Sequence, residues 1–337
     1  MSAPSETSLW RRLAQLLKAH GRWLLLVLGV AAVVILVRES GPERVLEVIL
    51  DSAAYLPLIL GLEIAWISMD VFALRHLYGE RGRHIPFSAW LRSASVAYGV
   101  MVLLPAGRAG GEVMRAAQLN RYVGMLSVTG AAQLQGSTLF ANAVISIPCF
   151  IAVAAGVGAV HYLALLVAVN GLATAVLGIG VLFVASRSRL GERLGNRFAF
   201  MQQYAAQLDE AAAPLQPFPL RAVAYCSFGR VIQAVQYGVI LLSIGGVLTV
   251  KSAFVAQGIH LVGSGLGDMV PNAVGITEAA YRFFAETLGL SEDPARAIAI
   301  ALVARLTQYT VAAIALVGGG YWSMRERQRR EAQTSNP

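Results

Sequence analysis

Two short stretches combine proline, glycine and glutamate, and the first adds arginine in a pattern suited to holding an anion. The first is Pro105-Ala106-Gly107-Arg108-Ala109-Gly110-Gly111-Glu112. Its proline ends the helix that precedes it. Its glycines permit tight turns and close approach to bare backbone. The outgoing helix is expected to begin near Gly111, where free N–H groups and the positive end of the helix dipole suit a phosphate. Arg108 and Arg115 would add charge-assisted hydrogen bonds, and a guanidinium fork matches phosphate better than an ammonium does. The simpler alternative is a helix-breaking turn with Glu112 complementing the dipole.

The second stretch is Pro271-Asn272-Ala273-Val274-Gly275-Ile276-Thr277-Glu278. Thr277 is expected to cap the outgoing helix, with Glu278 in its first turn. Glu278 and Arg282 are four residues apart and can pair, as can Glu112 and Arg115 at a spacing of three. A pair inside a membrane that opens to admit an anion would be a gate. Further polar residues fall inside apolar runs: Glu63 with Asp70 on one helix face, Arg230 with Gln233 and Tyr237, Arg305 with Gln308 or Tyr309, and Gln133, Gln135 and Asn142. Hydrogen bonding between helices accounts for such clusters in general. A deep guanidinium demands more, so Arg230 and Arg305 need an anion, from Glu63, Asp70, Glu278 or a lipid phosphate.

Catalytic patterns are weak. His20, His76, His84, His161 and His260 show no metal-ligand spacing. Ser264 lacks the full nucleophile-elbow pattern, and Gly263 to Gly267 lacks the strand of a dinucleotide fingerprint. The spacings Gly107 to Gly111 and Gly263 to Gly267 suit helix packing. There is no phosphate-binding loop for ATP. No cofactor and no metal are expected.

The elements that must position these residues follow from composition. Of 337 residues, 56% are hydrophobic and 14% charged, and mean hydropathy is +0.61. Soluble proteins carry about 25% charged residues. A soluble enzyme, a disordered chain and a disulfide-rich secreted scaffold are therefore excluded. The net charge is +8, almost all from arginine, since Lys18 and Lys251 are the only lysines. The arginines lie at the ends of apolar runs, as orientation signals do, so nucleic acid is not an expected partner. Cys149 and Cys226 sit in apolar runs and read as small buried hydrophobes.

Six stretches are long enough to cross a bilayer, which takes about 20 helical residues: roughly 23–37, 54–74, 128–154, 163–185, 222–248 and 297–320. The basic segments place both termini in the cytoplasm, with 1–22 and 323–337 as basic tails. Two apolar segments remain, 88–105 and 252–271, each ending at a proline. Full crossings there would break the charge assignment. They are therefore expected to be re-entrant helical hairpins, 88–122 from the cytoplasm and 252–290 from outside, with tips lining a cavity. The segments resemble each other: Ser88-Ala89-Trp90 against Ser252-Ala253-Phe254, then a proline, a glutamate seven residues on, and an arginine near one turn later. Inserted from opposite sides, they form an inverted repeat, as in many transporters. The expected fold is all-α: a polytopic membrane helix bundle of about six spans and two re-entrant hairpins, its domain covering 23–322, with halves at about 54–185 and 222–322.

At these residues the chain resembles a known family. LLPAGRAGGEVMRAAQL (103–119), MVPNAVGITEAAYRFFAETLGLS (269–291) and AIALVARLTQY (299–309) resemble the signatures of the lysylphosphatidylglycerol synthase transmembrane-region family of flippase-like membrane proteins. The resemblance covers roughly 50–322. It implies a bacterial inner-membrane protein that moves lipid headgroups between leaflets. The chain ends soon after Tyr321, so no synthase domain is expected and aminoacyl transfer is not implied. Where the family often has an acidic residue paired with arginine, this chain has Ser137-Thr138. The resulting expectation is a lipid flippase or transporter rather than an enzyme. Its substrate would be a phospholipid or glycolipid, bound by Arg108, Gly110, Gly111, Glu112, Arg115, Glu278, Arg282, Arg305 and Arg230. The alternative is a membrane subunit that scaffolds a separate lipid-modifying enzyme.

Overall fold

Low charge and long apolar runs give helices, because a helix satisfies every backbone polar group internally. The computed structural model describes residues 25–103, 107–187, 192, 196–197, 199–213, 215–267, 270 and 273–334, with the side chains of 108–109, 199–201 and 320–334 excepted. The regular elements among the described residues are all helical. In chain order they are α1 (25–40), α2 (Pro42–Asp51), α3 (Leu56–Leu77), α4 (Gly79–Arg83), α5 (Phe87–Leu103), α6 (Gly107–Val123), α7 (Leu126–Val157) and α8 (Tyr162–Ala185). Then follow α9 (Ala205–Ala212), α10 (Leu220–Ser243), α11 (Val250–Gly267), α12 (Ile276–Phe283) and α13 (Pro294–Thr334), with short 3-10 turns between some of them.

Four of these stretches are long and apolar enough to cross a membrane: Pro42–Leu77, Leu126–Val157, Tyr162–Ala185 and Pro294–Gly319. The protein is embedded in a membrane and passes through it several times. α10 has the length of a span, but Arg221, Arg230, Gln233 and Gln236 make it more polar. α13 continues without a break to Thr334, well past the expected end near 320. The expected N-terminal tail, 1–22, lies outside the described residues.

Both expected helix breaks occur, and both are built on close packing. α5 and α6 fold back on each other, and at Gly111 a Cβ would stand 2.6 Å from the Ala97 carbonyl oxygen. α11 and α12 fold back likewise; at Gly267 a Cβ would stand 2.3 Å from the Cβ of Ala273. Only glycine permits that approach. Pro105 and the 271–272 pair lie outside the described residues. The residues two positions after each proline are both left-handed, Gly107 at φ 59° and Ala273 at φ 51°.

Two expectations about these breaks are corrected. α6 begins at Gly107 rather than near Gly111. Gly110 and Gly111 therefore lie within the helix, and Gly111 packs against α5; they do not present bare backbone beyond its end. α12 is capped at Gly275, not by Thr277. The Thr277 hydroxyl donates to the Ala273 carbonyl at 3.3 Å instead, and Glu278 takes the capping role.

The largest apolar core joins the second hairpin to α7, α8, α10 and α13, around Tyr281, Ile240, Ile259 and Ile300. A second core lies at the foot of the first hairpin, around Leu74, Tyr78, Trp90 and Leu119. Tyr78 stacks on Trp90 there, with ring centroids 5.7 Å apart. α1 crosses the tip of the second hairpin: a Cβ on Gly29 would meet the Val274 carbonyl oxygen at 2.4 Å. Cys149 and Cys226 are buried and form no disulfide, as their apolar surroundings suggested.

Candidate functional site

The polar residues of the bundle gather into two centres. The first is a cleft between α3 and the first hairpin. It is lined by Trp66, Ile67 and Asp70 from α3, Ala97, Tyr98 and Met101 from α5, and Gly111, Glu112 and Arg115 from α6. The approach of α5 to α6 at Gly111 aligns these walls. Arg115 is 5% exposed, and its Nη2 lies 3.6 Å from Oε1 of Glu112. Its Nε and Nη1 are buried without a hydrogen-bond acceptor. Buried guanidinium N–H groups left in that state cost free energy, and an anion entering the cleft would relieve the cost.

The second centre is a closed ion pair. Arg305 of α13 donates from Nε to Oε1 of Glu278 at 2.8 Å. Oε2 of the same carboxylate accepts from the Gly275 N–H at 2.8 Å. Glu278 is fully buried. One side chain thus caps α12 and neutralises a guanidinium on a neighbouring helix.

α10 lies between the centres and carries a row of polar side chains. Arg230 donates to Gln233 at 2.9 Å, and its guanidinium lies 5.3 Å from the centre of the Trp66 ring, a cleft residue. Gln257 of α11 donates to the same Gln233 oxygen at 3.2 Å. Gln236 donates to Oε2 of Glu63 at 2.6 Å, and the Tyr98 hydroxyl donates to Oε1. Tyr237 shares a hydrogen bond of 2.7 Å with Nδ1 of His260. Each of these groups would be costly in hydrocarbon, and each meets a partner inside the bundle.

The candidate residues therefore separate. Glu112, Arg115 and Gly111 share the cleft, and Arg230 backs onto it through Trp66. Glu278 and Arg305 form the closed pair. Gly110 is half-buried and Arg282 is exposed, while Glu278 turns to Arg305 rather than to Arg282. The Arg108 side chain lies outside the described residues. Sequence spacing did not single out Tyr98, Trp66, Gln236 or Gln257. Gln236 lies one turn from Gln233, so the helical period offered a signal for it. Tyr98 offered none beyond a hydroxyl in an apolar helix.

No curated protein and no solved structure gives a match to this chain. The family model described as the lysylphosphatidylglycerol synthase TM region matches residues 22–316, which hold both hairpins, the cleft and the Glu278–Arg305 pair. Over most of its length, then, the chain belongs to the lysylphosphatidylglycerol synthase transmembrane-region family.

Proposed function

We propose that the protein is a lipid flippase or transporter that moves a phosphate-bearing headgroup between the leaflets of a bacterial inner membrane. The observation that carries this reading is Arg115: a buried guanidinium with two unaccepted N–H groups, facing a cleft inside an apolar bundle. A phosphate there would accept a charge-assisted hydrogen bond from either of these N–H groups. Asp70 and Glu112 on the same walls would hold a cationic part of the headgroup. The acyl chains would stay in the bilayer, beside exposed apolar side chains such as Val113.

In this reading the two hairpins are re-entrant and enter from opposite sides as an inverted repeat. The two left-handed residues after the prolines and the two glycine contacts support that kinship. Both termini would be cytoplasmic. The work is translocation rather than covalent chemistry, and the partner is a phospholipid or glycolipid.

The test is leaflet accessibility in proteoliposomes. Labelled phosphatidylglycerol in the inner leaflet should become accessible to an impermeant quencher faster with the protein than without it. Arg115→Ala should return the rate to the protein-free value. No acceleration for any of a panel of anionic, aminoacylated and polyprenyl lipids, together with tight co-purification of one lipid-modifying enzyme, would overturn the reading in favour of a scaffold.

A further inference from the structure

Among the described residues the buried carboxylates are Glu63 and Glu278, and Glu63 stands apart. Glu278 is met by a guanidinium and by a helix N-terminal N–H. Glu63 is 1% exposed, and its oxygens take their hydrogen bonds from neutral donors, the Tyr98 hydroxyl and the Gln236 amide. The Gln236 amide nitrogen also donates to the Ile59 carbonyl at 3.2 Å, which fixes its direction. A carboxylate in such surroundings keeps its charge only at a cost, and the ordinary response is to take up a proton.

Glu63 is also connected to the cleft. Tyr98, which bonds Glu63, is itself a cleft residue, as is Trp66 one turn along α3. Asp70 lies seven residues from Glu63 on the same helix face and lines the cleft too. Carboxylates and hydroxyls in such a row are the parts of intramembrane proton relays.

We propose that Glu63 is a proton-binding site loaded from the cleft through Tyr98, and that its loading couples a proton gradient to headgroup movement. This rests on the translocation reading above. In the loading step, a proton from cleft water adds to the Tyr98 hydroxyl oxygen. The phenolic proton already on that oxygen passes to Oε1 of Glu63. Tyr98 is left neutral, Glu63 becomes a neutral acid, and nothing is oxidised or reduced.

The mechanical consequence follows from the hydrogen-bond inventory. A carboxylate accepts only, whereas the neutral acid carries an O–H that must donate. The bond between Glu63 and Tyr98 then reverses, and the Tyr98 hydroxyl hydrogen needs another acceptor. Tyr98 sits on α5, which is locked to α6 at Gly111, so a change at Tyr98 reaches the wall that carries Glu112 and Arg115. The other groups that bear on Glu63 are Arg230 and Tyr237 of α10. Arg305 of α13 is paired to Glu278, and α7, also packed on α3, contains no charged residue.

The experiment uses the full chain in proteoliposomes with labelled phosphatidylglycerol and an internal pH dye. An imposed pH gradient should change the wild-type initial rate by about fivefold or more, with proton movement following lipid movement. Glu63→Gln should translocate at one rate whatever the gradient. Glu63→Asp should keep a gradient response. Infrared spectra should show a protonated carboxylic C=O band at low pH that is missing in Glu63→Gln. If Glu63→Gln does not fold, Tyr98→Phe replaces it and should lose the gradient response. A wild-type rate indifferent to the gradient, or a Glu63→Gln or Tyr98→Phe variant that keeps the full response, overturns the coupling. If no lipid moves under any gradient, the translocation reading fails and the coupling fails with it. The infrared band then decides separately whether the proton site stands.

Discussion

Arg305 reaches back from α13 to hold Glu278 at 2.8 Å, while the other oxygen of that carboxylate caps α12 at Gly275. Two structural tasks meet in one buried side chain. Removing one partner of a buried pair leaves an uncompensated charge and costs about 3–5 kcal/mol. Glu278→Ala should therefore destabilise the protein by at least that range, because the cap is lost as well. Arg305→Leu should cost less than Glu278→Ala, and the double variant less than the sum. Denaturant unfolding in detergent micelles, arranged as a double-mutant cycle, measures this.

The contact at Gly111 predicts an opposite sign for two glycine substitutions. A Cβ at Gly111 would meet the Ala97 carbonyl, which is backbone and cannot swing away. Gly111→Ala should cost about 1–3 kcal/mol, as overpacking does. Gly61 lies within α3 with nothing within 4 Å of an added Cβ. Gly61→Ala should stabilise by up to about 1 kcal/mol through helix propensity. Thermal unfolding of the two variants side by side checks both signs.

Arg115 predicts a graded loss of translocation. Arg115→Ala removes the donors and should abolish acceleration of labelled phosphatidylglycerol. Arg115→Lys keeps the charge but not the planar fork, so it should retain a small part of the rate. Equal activity of the lysine variant and the wild type would show that charge alone suffices.

Outside the apolar spans, Asp293 predicts a dependence on pH. Burial alone would raise its pKa. Hydrogen bonds from Arg44 at 3.0 Å and from the Arg296 backbone, with the charges of both arginines, bring it below the ordinary carboxylate value instead. A lowered folded pKa means that the stabilisation is fully present above the unfolded pKa of about 3.9. It is lost as pH falls through the lower folded value. The pair is partly exposed, so the contribution should be no more than about 1 kcal/mol. Asp293→Asn should lower stability at neutral pH by that amount and flatten this acid limb. Unfolding midpoints measured from neutral to strongly acidic pH test it.

The helices were legible in the sequence because hydropathy sets them: α3, α7, α8 and α13 fall on four of the apolar stretches. Both helix breaks were legible because proline and glycine act locally. The demand of Arg305 for an anion followed from its depth, and Glu278 was among the residues that could meet it. Which residue answered was not legible, since 27 positions separate the partners and spacing favoured the nearer Arg282. The cap at Gly275 was missed for a similar reason. Threonine is a good capping residue in general, but here the chain turns at the glycine, with φ at 84°. The cleft residues Tyr98 and Trp66 were invisible because their role comes from where α5 meets α3, and hydropathy carries no information on that.

The crossing of α1 over the second tip has a consequence for biosynthesis. Gly29 and Gly275 are in backbone contact, though more than two thirds of the sequence separates them. The ribosome makes α1 before the 273–275 turn. α1 must therefore wait, its docking face uncovered, until the second hairpin emerges to receive it.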